Sequence, residues 1–138
     1  MRSRRVVVRH SRKKEPVVWI IDSEQWPRAC LRAELIERGY DAYGFITIRD
    51  ALEWSAQPTS PKAASIILEL RGQQLTKELL DAIQNLDVPI IVLGGSTELN
   101  ESLIKERKWD EVLQRPISLG KIADVVQRRA GSQTEDRN

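Results

Sequence analysis

Residues 65–72 read SIILELRG, a pattern that indicates a buried strand. Small and apolar residues lead to Glu69, a carboxylate placed where a buried strand would run out into a loop. Continuous apolar runs of this length, without alternating polar residues, are typical of strands that are covered on both faces. We therefore expect a parallel sheet between two layers of helices, and the charge at its edge requires an explanation.

Outward from this strand, the chain repeats one pattern five times. Each apolar run of strand length is followed by apolar residues at three- and four-residue spacing, which indicates an amphipathic helix. The predicted strands cover residues 17–21, 41–45, 64–70, 89–93 and 111–114, and the predicted helices cover residues 29–39, 47–54, 75–86, 96–108 and 118–130. Five such units predict a doubly wound α/β fold with a five-stranded parallel sheet.

Composition is that of one soluble globular domain. Of the 138 residues, 41% are apolar and 30% are charged, and no apolar run approaches the ~20 residues that a membrane span needs. The first residues contain only three consecutive valines, too few for a secretory signal, so we expect a cytoplasmic protein. Cys30 has no companion at metal-ligand spacing, and we expect neither a metal nor a cofactor.

Charge is distributed unevenly along the chain. Residues 1–14 contain seven of the 22 Lys and Arg residues and no acid, which leaves 15 basic and 20 acidic residues in the remainder. We interpret residues 1–15 as a basic, disordered N-terminal arm, residues 16–130 as the folded domain and residues 131–138 as a disordered tail. A basic arm can also contact nucleic acid, so nucleic-acid association remains an alternative.

Several motifs resemble the receiver domains of two-component response regulators. VVWIIDSEQWPRACLRAELIERGYDAY is similar to their opening, SIILELRG to their third strand, PIIVLGG to their fourth and WDEVLQRPISLGKI to the stretch that carries their fifth. The resemblance covers residues 16–130. It implies the flavodoxin-like strand order 2-1-3-4-5 and an Arg115–Pro116 peptide that can be cis.

In receivers, acids at the end of the first strand bind Mg²⁺ and an aspartate at the end of the third strand accepts a phosphoryl group. Here the resemblance aligns Asp22, Ser23 and Glu24 with the metal-binding positions and Glu69 with the phosphoacceptor. A serine hydroxyl is a weaker ligand for this hard cation than a carboxylate. Glutamate is one methylene longer than aspartate and displaces the attacking oxygen.

Further departures concern the groups that would bind the phosphoryl group. Gly94 stands where receivers have Thr or Ser, Arg115 where they have Lys, and Val112 where an aromatic residue responds to the switch. The resemblance therefore implies a degenerate receiver, or pseudo-receiver, that lacks the phosphoacceptor Asp. Glu69 is interpreted in three ways: as a substitute for phosphoaspartate, as a partner of Arg115 through two parallel hydrogen bonds, or as a solvated strand end; we prefer the pair.

An interface is a second hypothesis drawn from the sequence. Trp109 precedes the fifth strand, close to the face formed by the fourth helix, fifth strand and fifth helix, through which receivers commonly pair. With Lys105 and Asp110 beside it, the tryptophan has the composition of an interface centre, although packing on its own loop is nearly as plausible.

Three functions follow from these features. The preferred one is a stand-alone receiver-like signalling module that acts by protein–protein interaction and is neither phosphorylated nor an enzyme. The alternatives are a weakly Mg²⁺-dependent phosphoacceptor and a protein that associates with nucleic acid through its basic arm. The expected partner is another signalling protein, and a homodimer through the face near Trp109 is the alternative.

Overall fold

The computed structural model describes the backbone of residues 15–137 and the side chains of residues 15–130. Its centre is a parallel sheet of five strands in the order β2-β1-β3-β4-β5. The strands are β1 (Val17–Ile21), β2 (Asp41–Phe45), β3 (Ser65–Glu69), β4 (Ile90–Gly94) and β5 (Glu111–Gln114). The predicted fold class and strand order are confirmed. Of the predicted basic arm, residues 1–15, only the last residue, Glu15, is among the described residues.

Helices cover both faces of the sheet. They are α1 (Gln25–Glu37), α2 (Ile48–Ser55), α3 (Lys77–Gln84), α4 (Ser96–Leu99), α5 (Ser102–Lys105) and α6 (Leu119–Arg137). One core cluster lies between the sheet and helices α1 and α6, and a second lies between the sheet and helices α2, α3 and α5. Strands β3 and β4 are buried at every residue, which explains their unbroken apolar sequences.

Local sequence signals explain most helix boundaries. The hydroxyls of Thr47 and Thr76 accept hydrogen bonds from the backbone N–H groups of Asp50 and Leu79, so each threonine caps a helix. Helix α1 begins at Gln25, four residues before the predicted start, because Pro27 is compatible with the first turn of a helix.

One predicted helix, residues 96–108, is divided in two. The Asn100 side chain donates to the Ser96 carbonyl at 2.9 Å, and the next residue, Glu101, has an extended backbone with ψ 137°. Asparagine bonds readily to nearby backbone and disfavours helix interiors, so it ends α4, and α5 begins after Glu101. The prediction of a single helix here was wrong.

The C-terminal helix corrects a second prediction. Helix α6 continues through Arg137, whereas the sequence predicted a disordered tail over residues 131–138. The segment contains no proline that would stop the preceding helix, so its backbone can continue, although Gly131, Ser132, Thr134 and Asp136 are weak helix formers. The domain boundary at residue 130 therefore does not coincide with the end of a structural element.

Two further features bear on the predictions. The Arg115–Pro116 peptide is cis, in agreement with the expectation from the resemblance.

Over the residues that the structure describes, every helix is too short or too polar to span a bilayer.

Candidate functional site

The predicted site residues meet at the carboxyl edge of the sheet. Asp22 follows β1, Glu69 ends β3, Gly94 ends β4 and Arg115 follows β5. Parallel strands bring these ends to the same edge, which is where ligands bind in doubly wound folds. Ion pairs and hydrogen bonds link the side chains of Asp22, Glu69 and Arg115. These contacts also involve Arg71 and Glu98, two residues that were not predicted as part of the site.

Glu69 is a buried carboxylate held on both sides. Its side chain is only 2% exposed. Oε1 lies 3.2 Å from Nε of Arg115, and Oε2 accepts a 2.9 Å hydrogen bond from the backbone N–H of Arg71. The solvated-strand-end interpretation of Glu69 is wrong, because the residue is out of contact with water and in contact with a cation.

Arg115 divides its guanidinium between two carboxylates. Its Nη2 donates to Oε1 of Glu98 at 2.6 Å, while its Nε faces Glu69 without the geometry of a hydrogen bond. The two parallel hydrogen bonds expected between Arg115 and Glu69 are therefore not formed. Glu98 competes for one edge of the guanidinium because it also accepts from the Gly95 N–H at 2.7 Å, which fixes its carboxylate beside the arginine.

Arg71 reaches across the site from the loop after β3. Its Nη2 lies 3.5 Å from Asp22 Oδ2 and 4.0 Å from Glu69 Oε1, and its Nε lies 3.2 Å from Glu24 Oε2. Among residues 15–130 it is the side chain that contacts all three of these acids. The sequence shows only an arginine following a strand, and its contacts depend on a long side chain crossing to another loop, so no local pattern predicts them.

Ser23 ties the Arg71 loop to the β1 loop. Its hydroxyl donates to the Arg71 carbonyl at 2.9 Å. The next residue, Gly72, has φ +74°, and a Cβ there would lie 2.3 Å from Ser23 Oγ. Glycine is therefore required for both the conformation and the close approach. Ser23, aligned by the resemblance with a metal-binding acid, here fixes a loop.

Gly94 offers no hydroxyl, and its surroundings leave little room for one. A Cβ at this position would lie 3.2 Å from Glu98 Oε1 and 3.2 Å from Leu70 Cδ1. Because Glu98 is held by Arg115 and by Gly95, a Thr or Ser at position 94 would require the Glu98 carboxylate to shift by a few tenths of an ångström against these bonds. Glu98 thus lies beside the position that a side chain at residue 94 would occupy.

Burial dominates the electrostatics of Glu69. Loss of water raises the pKa of its carboxyl above the ordinary value; the Arg71 N–H bond and the charges of Arg115 and Arg71 oppose this shift, and the charge of Asp22 adds to it. The two arginines therefore offset the cost of burying the carboxylate only in part.

Magnesium, which the resemblance would imply, does not fit this arrangement. The guanidinium of Arg71 faces both Asp22 and Glu69, and the Ser23 hydroxyl is already engaged. In the described part of the chain, no three His, Cys, Asp or Glu side chains are grouped so as to hold a metal ion. A hard cation needs several free oxygen ligands, whereas the two buried acids here already face arginines.

The residues of the interface hypothesis have local roles. Trp109 is partly buried against the second core cluster, and its indole N–H donates to the Ile104 carbonyl at 3.0 Å. The Asp110 carboxylate accepts from the Ile90 N–H at 2.7 Å, while Lys105 is exposed. The alternative of packing on its own loop describes Trp109, and the role of this face as an interface stays a hypothesis.

Comparison with solved structures finds receiver domains. The signal receiver domain of a Luxo repressor protein from Vibrio parahaemolyticus aligns with TM-score 0.68 and 22% identity over 91% of this chain and 99% of that one. A response regulator receiver protein from Pseudomonas putida aligns with TM-score 0.69 and 25% identity, over 84% and 98% of the two chains. A receiver domain protein from Clostridium thermocellum aligns with TM-score 0.69 and 15% identity, over 86% and 97%.

Comparisons with protein-family models and with curated proteins gave no match. The structural similarity extends over most of each chain, and the sheet of this chain has the strand order β2-β1-β3-β4-β5. The chain therefore has the flavodoxin-like fold of response regulator receiver domains.

Proposed function

We propose that this chain is a pseudo-receiver, a signalling module that acts by contact with a partner protein and takes no phosphoryl group. The observation that carries the proposal is the environment of Glu69. The residue in the phosphoacceptor position is buried and faces the guanidinium groups of Arg71 and Arg115.

Three features of the site oppose phosphoryl transfer to Glu69. An attacking carboxylate oxygen needs an open line of approach, and transfer is sensitive to displacements of about 1 Å. Glu69 is longer than aspartate, and both of its oxygens already have partners. Charge neutralisation by Mg²⁺ is replaced by fixed arginines, which cannot coordinate an incoming phosphoryl donor together with the acids as a metal ion does.

The same contacts argue for a constant state of the site. Glu69 carries at most one negative charge, less than the ~1.5 to 2 of a phosphoryl group, and Gly94 has no hydroxyl that could move in response. The site then stabilises one arrangement of the loops that follow β1 and β3. In this proposal the module has no enzyme activity and signals through the surface that binds its partner.

Incubation of the purified chain with acetyl phosphate and Mg²⁺, followed by intact-protein mass spectrometry, tests this proposal. We expect no acid-labile adduct of one phosphoryl group, beside a functional receiver that is labelled in the same reaction. The Glu69→Asp variant should also stay unlabelled, because Arg71 still faces Asp22 and Gly94 is unchanged. An adduct on the wild-type chain would instead favour the weakly Mg²⁺-dependent phosphoacceptor.

A further inference from the structure

A groove runs along the free edge of the sheet, away from the site described above. It has a volume of about 780 Å³ and lies beside β2, the edge strand, between helices α1 and α2. Its lining includes Arg28, Arg32 and Ile36 from α1, Tyr43 and Phe45 from β2, and Trp54 from α2. We call this surface the edge groove.

The apolar part of the edge groove is an aromatic surface. The rings of Tyr43 and Trp54 are 5.7 Å apart between centroids, and those of Phe45 and Trp54 are 6.2 Å apart. All three rings are only partly buried, and Ile36 beside them is 45% exposed. Partly exposed aromatic and aliphatic side chains around a concave surface are the usual anchor points of a protein partner.

The charged part of the edge groove is cationic. Arg28 donates to the Asp22 backbone carbonyl at 2.8 Å and Arg32 donates to the Ala42 carbonyl at 2.7 Å. Within residues 15–130, neither arginine forms an ion pair with a carboxylate. The acidic residue Glu37 also lines the groove, five positions beyond Arg32. The Asp41 carboxylate accepts from the Tyr43 hydroxyl at 3.2 Å. The guanidinium groups of Arg28 and Arg32, which are held by neutral acceptors, can pair with carboxylates of a partner.

The edge of β2 is not free for strand addition. Asp41 and Phe45 form their backbone bonds with the β1 side, so Ala42 and Gly44 direct theirs outward. The outward carbonyl of Ala42 already accepts from Arg32. An added strand would have to displace this side chain, and the arginine protects the edge from such pairing. A partner must therefore dock through side chains.

Charge disfavours two occupants of the edge groove that the chain itself could supply, a symmetrically docked second copy and the basic residues 1–14. A second copy that docked symmetrically would place its own Arg28 and Arg32 against the same pair. Residues 1–14 carry seven Lys and Arg residues and would be repelled as well. A small molecule is disfavoured because the groove is open along its length, whereas small-ligand sites bury most of the ligand.

We propose that the edge groove binds an acidic amphipathic helix of a partner protein, with apolar anchors on the aromatic surface and carboxylates paired with Arg28 and Arg32. Anchors at i, i+3 and i+4 spacing match the way in which helices fill grooves. The inference rests on the proposed function, since it names the surface through which a module without phosphoryl chemistry would meet its partner.

Selection from a phage library of random 16-residue peptides, followed by ¹H–¹⁵N NMR with the selected peptide, tests the inference. We expect peptides with Asp or Glu beside apolar residues at helical spacing, and shifts confined to α1, β2 and α2. Arg28→Glu combined with Arg32→Glu should weaken binding about tenfold or more. The control, Lys62→Glu with Lys121→Glu, changes the net charge equally at exposed sites outside the groove and should leave affinity within about twofold.

Ile36→Asp provides a second variant that breaks no described hydrogen bond, and it should weaken binding even if the double arginine variant folds poorly. Failure to select a peptide, selection of basic peptides, shifts elsewhere, or equal binding by Ile36→Asp would overturn the inference. So would a concentration-dependent dimer through this face, or the same shifts with adenosine triphosphate alone. None of these outcomes depends on phosphorylation. The proposed function is tested separately, by the presence or absence of a phosphoryl adduct.

Discussion

Replacing Arg115 with alanine is expected to lower the free energy of unfolding by about 3 kcal/mol at pH 7. Arg115 is the closest cation to the buried carboxylate of Glu69, at 3.2 Å, whereas Arg71 is 4.0 Å away. Removing one member of a buried pair leaves the other charge without compensation, which costs more than the pair itself contributes. Chemical denaturation of both proteins measures the difference.

A matched control separates burial from simple loss of an arginine. Arg128 pairs with Glu111 at 3.0 Å but is 62% exposed, so Arg128→Ala should cost at most about 1 kcal/mol. In a Glu69→Gln background, Arg115→Ala should cost clearly less than in the wild type, because no buried charge remains. Equal costs for the two arginines in the wild-type background would show that Glu69 does not depend on Arg115.

The pH dependence of this effect has a definite sign. Since burial raises the pKa of Glu69, the folded state holds the proton more tightly than the unfolded chain does. This group's contribution to stability is full below its ordinary pKa and is lost as the pH rises through the raised value. Arg115→Ala removes a charge that lowers this pKa. Its cost should therefore shrink as the pH falls toward about 4, where the carboxyl is protonated.

Trp109→Ala is expected to lower the free energy of unfolding by about 2–3 kcal/mol, without a change in self-association. The ring packs on the second core cluster, so truncation leaves a cavity. It also removes the indole hydrogen bond to the Ile104 carbonyl, which still accepts from the Arg107 N–H at 3.2 Å. Trp109→Phe keeps part of the packing and should cost less. Thermal unfolding and analytical ultracentrifugation measure the two quantities.

Trp26 is the appropriate control for this experiment, because it is 76% exposed and its truncation should change stability by less than about 0.5 kcal/mol. The interface hypothesis makes the opposite forecast for Trp109. If Trp109→Ala unfolds like the wild type but loses a measurable association, the tryptophan is an interface anchor and its local packing is secondary.

The sheet could be predicted because its strands are buried on both faces. Such strands must be apolar at successive positions. Local sequence is therefore enough to predict the strands VVWII, SIILEL and PIIVL. The helix boundaries were harder to predict from the sequence. Asn100 divides a helix through a side-chain bond to Ser96, and a single asparagine in an otherwise helical pattern does not require such a break.

The candidate site was predictable only where it follows strand ends. Asp22, Glu69 and Arg115 were placed together by topology alone, and the structure brings them to one edge. Arg71 and Glu98 come from loops or short helices, and their long side chains reach residues far away in the sequence. Because contacts of this kind depend on tertiary geometry, the competition of Glu98 for Arg115 was missed.

We propose that arginine side chains, not a metal ion, neutralise the buried acids Asp22 and Glu69. A titration of the ¹⁵N-labelled protein with Mg²⁺, followed by NMR at constant ionic strength, tests it most directly. We expect no saturable shift of the Asp22, Glu69 and Arg71 amides at millimolar Mg²⁺. A saturable shift of these amides, absent in an Asp22→Asn variant, would show that the acids are free to bind a metal and that the arginines do not take its place.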